Sequence, residues 1–280
     1  MMQIWYTLWE LLPFEMLHWD FMKNALLALL LMAPLFGLLS TMIVTGRMSF
    51  FSDALGHSAF TGIAIGAICG IAAPIWVAVI FSVVFALLFS YVRSRSNQAA
   101  DTIIGVFSSS AVALGIFIAT LGGGSFTKYN KYLIGDVLSV SPGEIGLLAI
   151  VLAAVSIFWV VFGNRLVLVS IHAPLASSRG LKVRTTQTLF TVCIAVVVTL
   201  AINWVGLLML NSLLVLPAAS ARNVAKNLRQ YHGLSVLFAL AACILGLVLS
   251  YHLGASTGAA ISLCLAIIFT VSFVFRKKVS

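Results

Sequence analysis

Long runs of apolar residues alternate with short polar connections along almost the whole chain. A helix needs about 20 apolar residues to cross the hydrocarbon core of a bilayer, so each of these runs is a candidate membrane span. The pattern predicts spans near 24–45, 49–72, 74–92, 101–121, 144–163, 185–202, 206–221, 232–251 and 255–275. The run at 206–221 is short and contains Pro217, so eight or nine crossings are expected.

Composition supports a membrane protein. The 280 residues are 62% hydrophobic and only 8% charged, whereas about a quarter of the residues in a soluble domain are charged. This excludes a cytosolic enzyme, a nucleic-acid-binding protein and a disordered chain. We therefore predict an all-α, polytopic membrane protein whose membrane domain covers residues 23–280 and whose surroundings are lipid. Residues 1–22 combine aromatic and acidic residues, which is typical of an interfacial segment.

The distribution of basic residues predicts the orientation. Cytoplasmic loops of membrane proteins are enriched in Lys and Arg, and this also accounts for the net charge of +9. If the N-terminus is extracytoplasmic, only Lys23, Lys128 and Lys131 of the sixteen basic residues lie outside, which leaves thirteen in cytoplasmic loops. We therefore expect an extracytoplasmic N-terminal segment and a cytoplasmic C-terminus.

Two ionisable residues interrupt the second predicted span. Asp53 and His57 are four residues apart and so share one helical face, and Ser49 and Thr61 extend the same polar stripe. A helix that begins at Arg47 would place His57 about 15 Å along its axis. Ionisable residues at membrane depth usually mark a functional site, and carboxylate and imidazole suit Zn²⁺, Mn²⁺ or Fe²⁺. The spacing leaves two hypotheses: metal or proton handling, or a structural pair between helices.

Small residues follow the polar stripe at intervals of four. Gly62, Gly66 and Gly70 form a GxxxGxxxG pattern, which favours close approach of a second helix. Asn203 and Asn211 flank or enter a later span, where each would cap a helix end or line a path. The four cysteines are far apart in apolar runs, so we predict small buried side chains rather than disulfides.

Residues 164–184 form the longest polar stretch of the chain. The stretch is basic, and a short helix would fit between Pro174 and Gly180. It is either a simple connection or a docking element for a cytoplasmic partner. His172 lies within it, and a single histidine in a loop is more often inert than a ligand.

Motifs for ATP hydrolysis and for zinc-dependent hydrolysis do not occur in the sequence. It contains no GxxxxGK[ST] loop and no HExxH, so the chain is not expected to be an enzyme or to hydrolyse ATP by itself. A membrane enzyme is also disfavoured because only one intramembrane ionisable pair is present. No permanently bound cofactor is expected.

Four segments resemble one known family in the same order. They are RMSFFSDALGHSAFTGIAIG (47–66), DTIIGVFSSSAVALGIFI (101–118), YLIGDVLSVS (132–141) and VGLLMLNSLLVLPAASAR (205–222). Together they resemble the ABC-3 family of metal-ion ABC transporter permeases, and the match covers most of residues 24–275. The resemblance implies a membrane-spanning permease subunit of an ATP-driven importer of zinc, manganese or iron in a bacterial cytoplasmic membrane.

The resemblance also implies partners and site residues. Two permease subunits pair, two cytoplasmic ABC ATPases drive them, and an extracytoplasmic metal-binding protein delivers the ion. The family's intramembrane ligands correspond to Asp53 and His57. The family's coupling element corresponds to the run that begins at His172 and ends at Gly180, although its acidic residues are replaced here. The residues expected to contact the ATPase are His172, Ala176, Arg179 and Gly180.

A different transport class remains as the alternative hypothesis. An ion-coupled secondary transporter or channel could use Asp53 as a cation or proton site without any ATPase. Such proteins usually contain repeats or pairs of broken helices, and the sequence shows no convincing repeat. Ligation by Asp and His suits all three metals, and both a homodimer and a heterodimer fit the resemblance.

Overall fold

The computed structural model of the protein describes residues 15–71, 73–121 and 135–276. Secondary structure in these residues is entirely helical, so the predicted all-α fold class is confirmed. Short 3₁₀ turns at Glu15–His18 and Val137–Ser139 accompany nine α-helices. The helices are α1 (Asp20–Thr45), α2 (Phe51–Ile68), α3 (Pro74–Arg95), α4 (Ala100–Leu121), α5 (Pro142–Ile171), α6 (Ala173–Ser178), α7 (Val183–Val224), α8 (Leu228–Leu253) and α9 (Thr257–Val274).

The long helices in the described ranges correspond to the predicted membrane spans, but fewer of them qualify as spans than the eight or nine expected. Seven helices in the described part are long and apolar enough to cross a membrane: α1, α3, α4, α5, α7, α8 and α9. The eighth long helix, α2, has 18 residues and contains Asp53 and His57. Gly206 interrupts the 42-residue α7 with non-helical dihedral angles, so the predicted spans 185–202 and 206–221 are the two segments of this helix.

Local sequence signals explain where several helices begin. Proline is the first residue of α3 and of α5, a position where its missing N–H costs nothing and its fixed φ suits the helix. Before α5, the Ser141 N–H donates to Glu144 Oε2 at 2.9 Å and the Glu144 N–H donates to Ser141 Oγ at 3.4 Å. This reciprocal pair is a capping box.

Two predicted boundaries are wrong. Residues 164–171 were expected in the polar connection, but they form the last two turns of α5, because the apolar run continues from Leu166 to Val169. The connection between α5 and α7 is therefore residues 172–182, and the predicted short helix within it is α6. The second helix begins at Phe51 rather than Arg47, which lies in a turn with φ 53°, so His57 is only about 9 Å along α2.

Two predicted segments fall largely outside the described residues. Residues 1–14 of the interfacial segment 1–22 are not among them, and neither are residues 122–134, which lie between the predicted spans 101–121 and 144–163. The described remainder consists of the turn Glu15–His18, the start of α1, the turn Val137–Ser139 and the first residues of α5.

The chain divides into two compact units. The first comprises residues 1–41, 136–156 and 212–280. In this unit α8 packs against α1, where Ser40 Oγ and Ser235 Oγ are 2.9 Å apart and a side chain on Gly37 would come within 2.8 Å of Val236 Cα. Helix α8 also packs along α9. Small residues therefore allow close helix contacts in this unit.

The second unit comprises residues 42–135 and 157–211, with α2 packed against α3 and α4. A side chain on Gly62 would overlap Ala78 Cα, and one on Gly66 would lie 2.9 Å from Pro74 Cβ. Thr61 Oγ1 also donates to the Ala111 carbonyl of α4 at 2.8 Å. Helix α2 is thus enclosed by its neighbours.

Gly70 does not contribute to this helix packing, contrary to the GxxxGxxxG prediction. It lies beyond the last residue of α2 with φ +70° and open space around it. The Gly70 and Ile71 N–H groups donate to the Ala67 and Gly66 carbonyls, the pattern of a Schellman motif that favours glycine. Gly70 therefore ends the helix rather than packing it.

The cysteines differ from the prediction at one position. Cys243 is buried, and Cys193 and Cys264 are half-buried. Cys69 is exposed instead, because it follows the last residue of α2 and no longer packs against a neighbouring helix.

Candidate functional site

Helix α2 is buried on nearly all sides. Between Phe51 and Gly66, the residues that are not buried are Asp53, His57 and Ile65. These positions are four and eight residues apart and so lie along one helical face. The open strip of α2, defined here as the surface of Asp53 and His57, therefore consists of ionisable side chains on an otherwise enclosed helix.

The two ionisable side chains face each other. His57 Nε2 lies 3.5 Å from Asp53 Oδ2, and the side chains are 27% and 42% exposed. This separation exceeds the usual N–H···O distance, so the pair forms a loose contact. Two ligand atoms each about 2.1 Å from a tetrahedral ion are about 3.4 Å apart, so Oδ2 and Nε2 already have the spacing that one small divalent cation would require.

The predicted four-residue polar stripe is reduced to this pair. Ser49 lies in the turn before α2, and Thr61 is buried with its hydroxyl donating to the His57 and Ala111 carbonyls. The described ranges contain no group of three or more His, Cys, Asp and Glu side chains that could hold a metal ion. One copy of the chain therefore offers one carboxylate and one imidazole here.

Gly56, between the two ionisable residues, brings α7 close to α2. A side chain at Gly56 would overlap Leu207, and Leu207 forms a buried cluster with Ala59 and Ile202. Leu207 directly follows Gly206, the residue at which α7 is interrupted. The pair on α2 thus lies beside a broken helix.

A second glycine packs against the break in α7. Gly206 has φ 73° and Gly135 has φ 69°, a region that side-chain-bearing residues rarely adopt. A side chain on Gly135 would overlap the Val205–Gly206 peptide. In a bilayer, irregular backbone is tolerated where protein covers it or where it lines a cavity, and Gly135 provides such a cover.

Asn211 completes the immediate surroundings of Asp53. Its Nδ2 donates to Asp53 Oδ1 at 2.9 Å. The sequence indicated Asn211 only as a cap or a path-lining residue, and it did not link Asn211 to Asp53, because 158 positions separate them. Two features of the sequence could have indicated a role for Asn211: its carboxamide lies within an apolar span, and it follows Gly206 by five residues.

The residues predicted to contact the ATPase lie together in the connection 172–182. His172 Nδ1 accepts from the Leu175 N–H at 3.1 Å and so caps the start of α6. Gly180, with φ +77°, and Leu181 end the helix, and the Leu181 N–H donates to the Ala176 carbonyl. Ala176 is buried, whereas His172, Arg179 and Gly180 are exposed. The result is a small capped helix that presents a basic surface.

Comparison with known proteins agrees with this architecture. The profile of the ABC 3 transport family matches residues 18–276. The chain is 31% identical over 262 residues to the manganese import system permease protein ScaB of Streptococcus gordonii, with 92% of each chain covered. It is 27% identical over 244 residues to the high-affinity zinc uptake system membrane protein ZnuB of Haemophilus influenzae, covering 86% of this chain and 92% of that one.

A solved structure has the same fold. PsaBC from Streptococcus pneumoniae in complex with Fab contains a chain that aligns with a TM-score of 0.79 and 28% identity, over 98% of this chain and 95% of that one. The profile match and this structural match both extend over nearly the whole chain. The protein belongs to the ABC 3 transport family.

Proposed function

We propose that the chain is the membrane-spanning permease subunit of an ATP-driven importer of a divalent transition-metal ion: zinc, manganese or iron. The observation that carries this proposal is the open strip of α2. A carboxylate facing lipid costs about 2.5–3.5 kcal/mol on insertion scales, so Asp53 and His57 face a water-filled path or another protein chain. Their ligand types suit such ions, and relatives named for manganese and zinc support the class of substrate.

The transported ion is a substrate that must leave again. Conduction requires a site that binds well enough to admit the ion and weakly enough to release it. Asp53 Oδ2 and His57 Nε2 supply one oxygen and one nitrogen ligand at a suitable separation. One chain therefore supplies two of the ligands of such a site.

A second permease copy is the proposed partner at this strip. In either a homodimer or a heterodimer, a second Asp–His pair would complete a set of two nitrogen and two oxygen ligands. The isolated chain leaves Asp53 and His57 partly exposed, although the rest of α2 up to Gly66 is buried apart from Ile65. A partner copy would cover this remaining face.

Cytoplasmic ABC ATPases are the proposed energy source, and residues 172–182 are their proposed contact. Helix α6 is too short to be stable alone, and it is held by His172 and Gly180 with most of its surface exposed. Exposed Arg179, Lys182 and Arg184 make this surface basic. Binding of ATP would close the ATPases and shift the permease through this helix, while an extracytoplasmic metal-binding protein would deliver the ion.

The proposed location is a bacterial cytoplasmic membrane, with the N-terminus outside and the C-terminus in the cytoplasm. This orientation places residues 172–182 and the basic ends of α3 and α7 on the cytoplasmic side, as the distribution of Lys and Arg favours. Arg93 and Arg95 lie in the last turn of α3 and Arg222 in the last turn of α7.

The test is metal uptake by an Asp53→Asn variant in cells that carry the complete transporter. The substitution keeps the size of the side chain and removes its charge, so uptake should fall to background while the permease still assembles with the ATPase. Asp101→Asn, in the exposed first turn of α4, is the matched control and should transport normally. Uptake at the wild-type rate by Asp53→Asn would refute the proposed role of Asp53 in ion binding. Transport by the purified chain alone in liposomes would refute ATP-driven transport.

A further inference from the structure

We propose that Asn211 is a positioning residue for ion binding, an inference that rests on the proposed function. It holds one oxygen of Asp53, so that only the other oxygen faces His57 and an arriving ion. By limiting the carboxylate to one available oxygen, Asn211 keeps the site weak and release of the ion fast.

The hydrogen bonds divide the carboxylate between two neighbours. Asp53 Oδ1 accepts from Asn211 Nδ2 at 2.9 Å, whereas Asp53 Oδ2 is the atom 3.5 Å from His57 Nε2. The bond to Asn211 is short and charge-assisted, and the contact with His57 is loose. An ion that approaches the open strip therefore meets Oδ2, while a chelating mode through both oxygens has to share Oδ1 with the Asn211 donor.

The remaining carboxamide atom indicates that Asn211 does not serve packing alone. Asn211 Oδ1 is buried and has no hydrogen-bond partner within the described residues. The reverse orientation would place this oxygen against a carboxylate oxygen and replace attraction by repulsion. A buried acceptor without a partner is destabilising, and leucine would fill the position without that defect.

The break in α7 determines where this carboxamide lies. Asn211 is five residues after Gly206, on the segment whose first residue, Leu207, packs against Gly56. Gly56 lies between Asp53 and His57 on α2. The same contact that brings α7 to α2 therefore places the Asn211 donor at the carboxylate.

The test is Mn²⁺ binding to the purified full-length chain in lipid nanodiscs, with free Mn²⁺ measured by electron paramagnetic resonance. Asn211→Leu should bind Mn²⁺ about tenfold more tightly, the scale of one hydrogen bond to a charged group. In the assembled transporter, the same variant should lower both the KM and the maximal rate of Mn²⁺ uptake several-fold. Asn211→Ala should also bind Mn²⁺ more tightly, and it replaces the leucine variant in this test if the leucine variant does not fold.

The matched control is Thr199→Val on the same helix. Thr199 is buried and its hydroxyl also has no partner in the described part of the chain, so this variant removes an unpaired polar atom without altering Asp53. It should bind Mn²⁺ like the wild type. Unchanged or weaker Mn²⁺ binding by the Asn211 variants would overturn the positioning role. If Asp53→Asn abolishes Mn²⁺ binding in the same assay, the proposed function stands independently, whereas wild-type binding by Asp53→Asn would contradict that function.

Discussion

Helix α2 and the connection 172–182 differ in how far each is buried. Helix α2 is enclosed by its neighbours and leaves open mainly the strip of Asp53 and His57. Helix α6, within the connection, has six residues and buries only Ala176. The enclosed helix α2 holds the side chains of Asp53 and His57 at fixed positions. The exposed helix α6 offers a surface that another protein can bind.

The two regions are also stabilised differently. Helix α2 depends on glycines whose neighbours leave no room for a methyl group, so tertiary packing determines its position. Helix α6 depends on local devices: the His172 cap, a proline near its start and the positive φ of Gly180. Changes to α2 should therefore disturb ion handling or the fold, and changes to α6 should disturb contact with a partner.

The largest expected effect is a loss of metal uptake without a loss of Mn²⁺ binding, which would separate the proposed role of the connection from that of α2. Replacing residues 173–181 with a Gly/Ser sequence of equal length should abolish metal uptake, because the proposed contact with the ATPase would be lost. Mn²⁺ binding by the purified chain should remain at the wild-type value, since Asp53 and His57 are unchanged. Asp53→Asn should give the reverse result, with lost Mn²⁺ binding and retained co-purification of the ATPase. Wild-type uptake by the Gly/Ser variant would eliminate the proposed role of the connection.

A smaller effect is expected from the packing of α2. In Gly62→Ala the new methyl group would overlap Ala78 Cα, and backbone cannot move as a flexible side chain can. Overpacking of this kind lowers the free energy of unfolding by about 1–3 kcal/mol. Unfolding in mixed detergent micelles would measure it.

Gly105→Ala is the matched control for this comparison. Gly105 lies within α4 and has no atom within 4 Å of the added methyl group, so the helix propensity of alanine should leave stability unchanged or raise it. Equal stabilities of the two variants would show that the contact between α2 and α3 is looser than the structure indicates.

The smallest effect is on the labelling of single cysteines by an external reagent, and it leaves transport intact. The native Cys69 is exposed just after α2, and the proposed orientation places it outside the cell. A membrane-impermeant maleimide should label it in intact cells, and Cys69→Ala should remove that signal. In the Cys69→Ala background, Ser178→Cys in α6 should be labelled only after the membrane is opened. Labelling of Ser178→Cys in intact cells would reverse the orientation.

Much of the fold was predictable because apolar run length determines where membrane helices can form. The two segments of α7 and the short helix between Pro174 and Gly180 were both indicated by the sequence. The exact helix ends were not: the turn at Arg47 depends on local backbone geometry, and the apolar run from Leu166 to Val169 extends α5 beyond its expected end.

The candidate site was predictable only in part. The spacing of Asp53 and His57 placed them on one face of one helix, and this needs nothing beyond helical periodicity. The link from Asn211 to Asp53 requires the break at Gly206 and the approach of Leu207 to Gly56. Neither follows from periodicity, since each depends on how distant segments pack.

If the proposed function holds, Asp53 and His57 bind the transported ion directly. Pulsed electron paramagnetic resonance of the Mn²⁺-loaded transporter in nanodiscs tests it, because an imidazole ligand produces a nitrogen modulation of the Mn²⁺ signal. The wild-type protein should show this modulation, and His57→Ala should lose it while still assembling with its partners. Nitrogen modulation that persists unchanged in His57→Ala, or that is absent from the wild type with Mn²⁺ bound, would show that His57 is not a ligand of the ion.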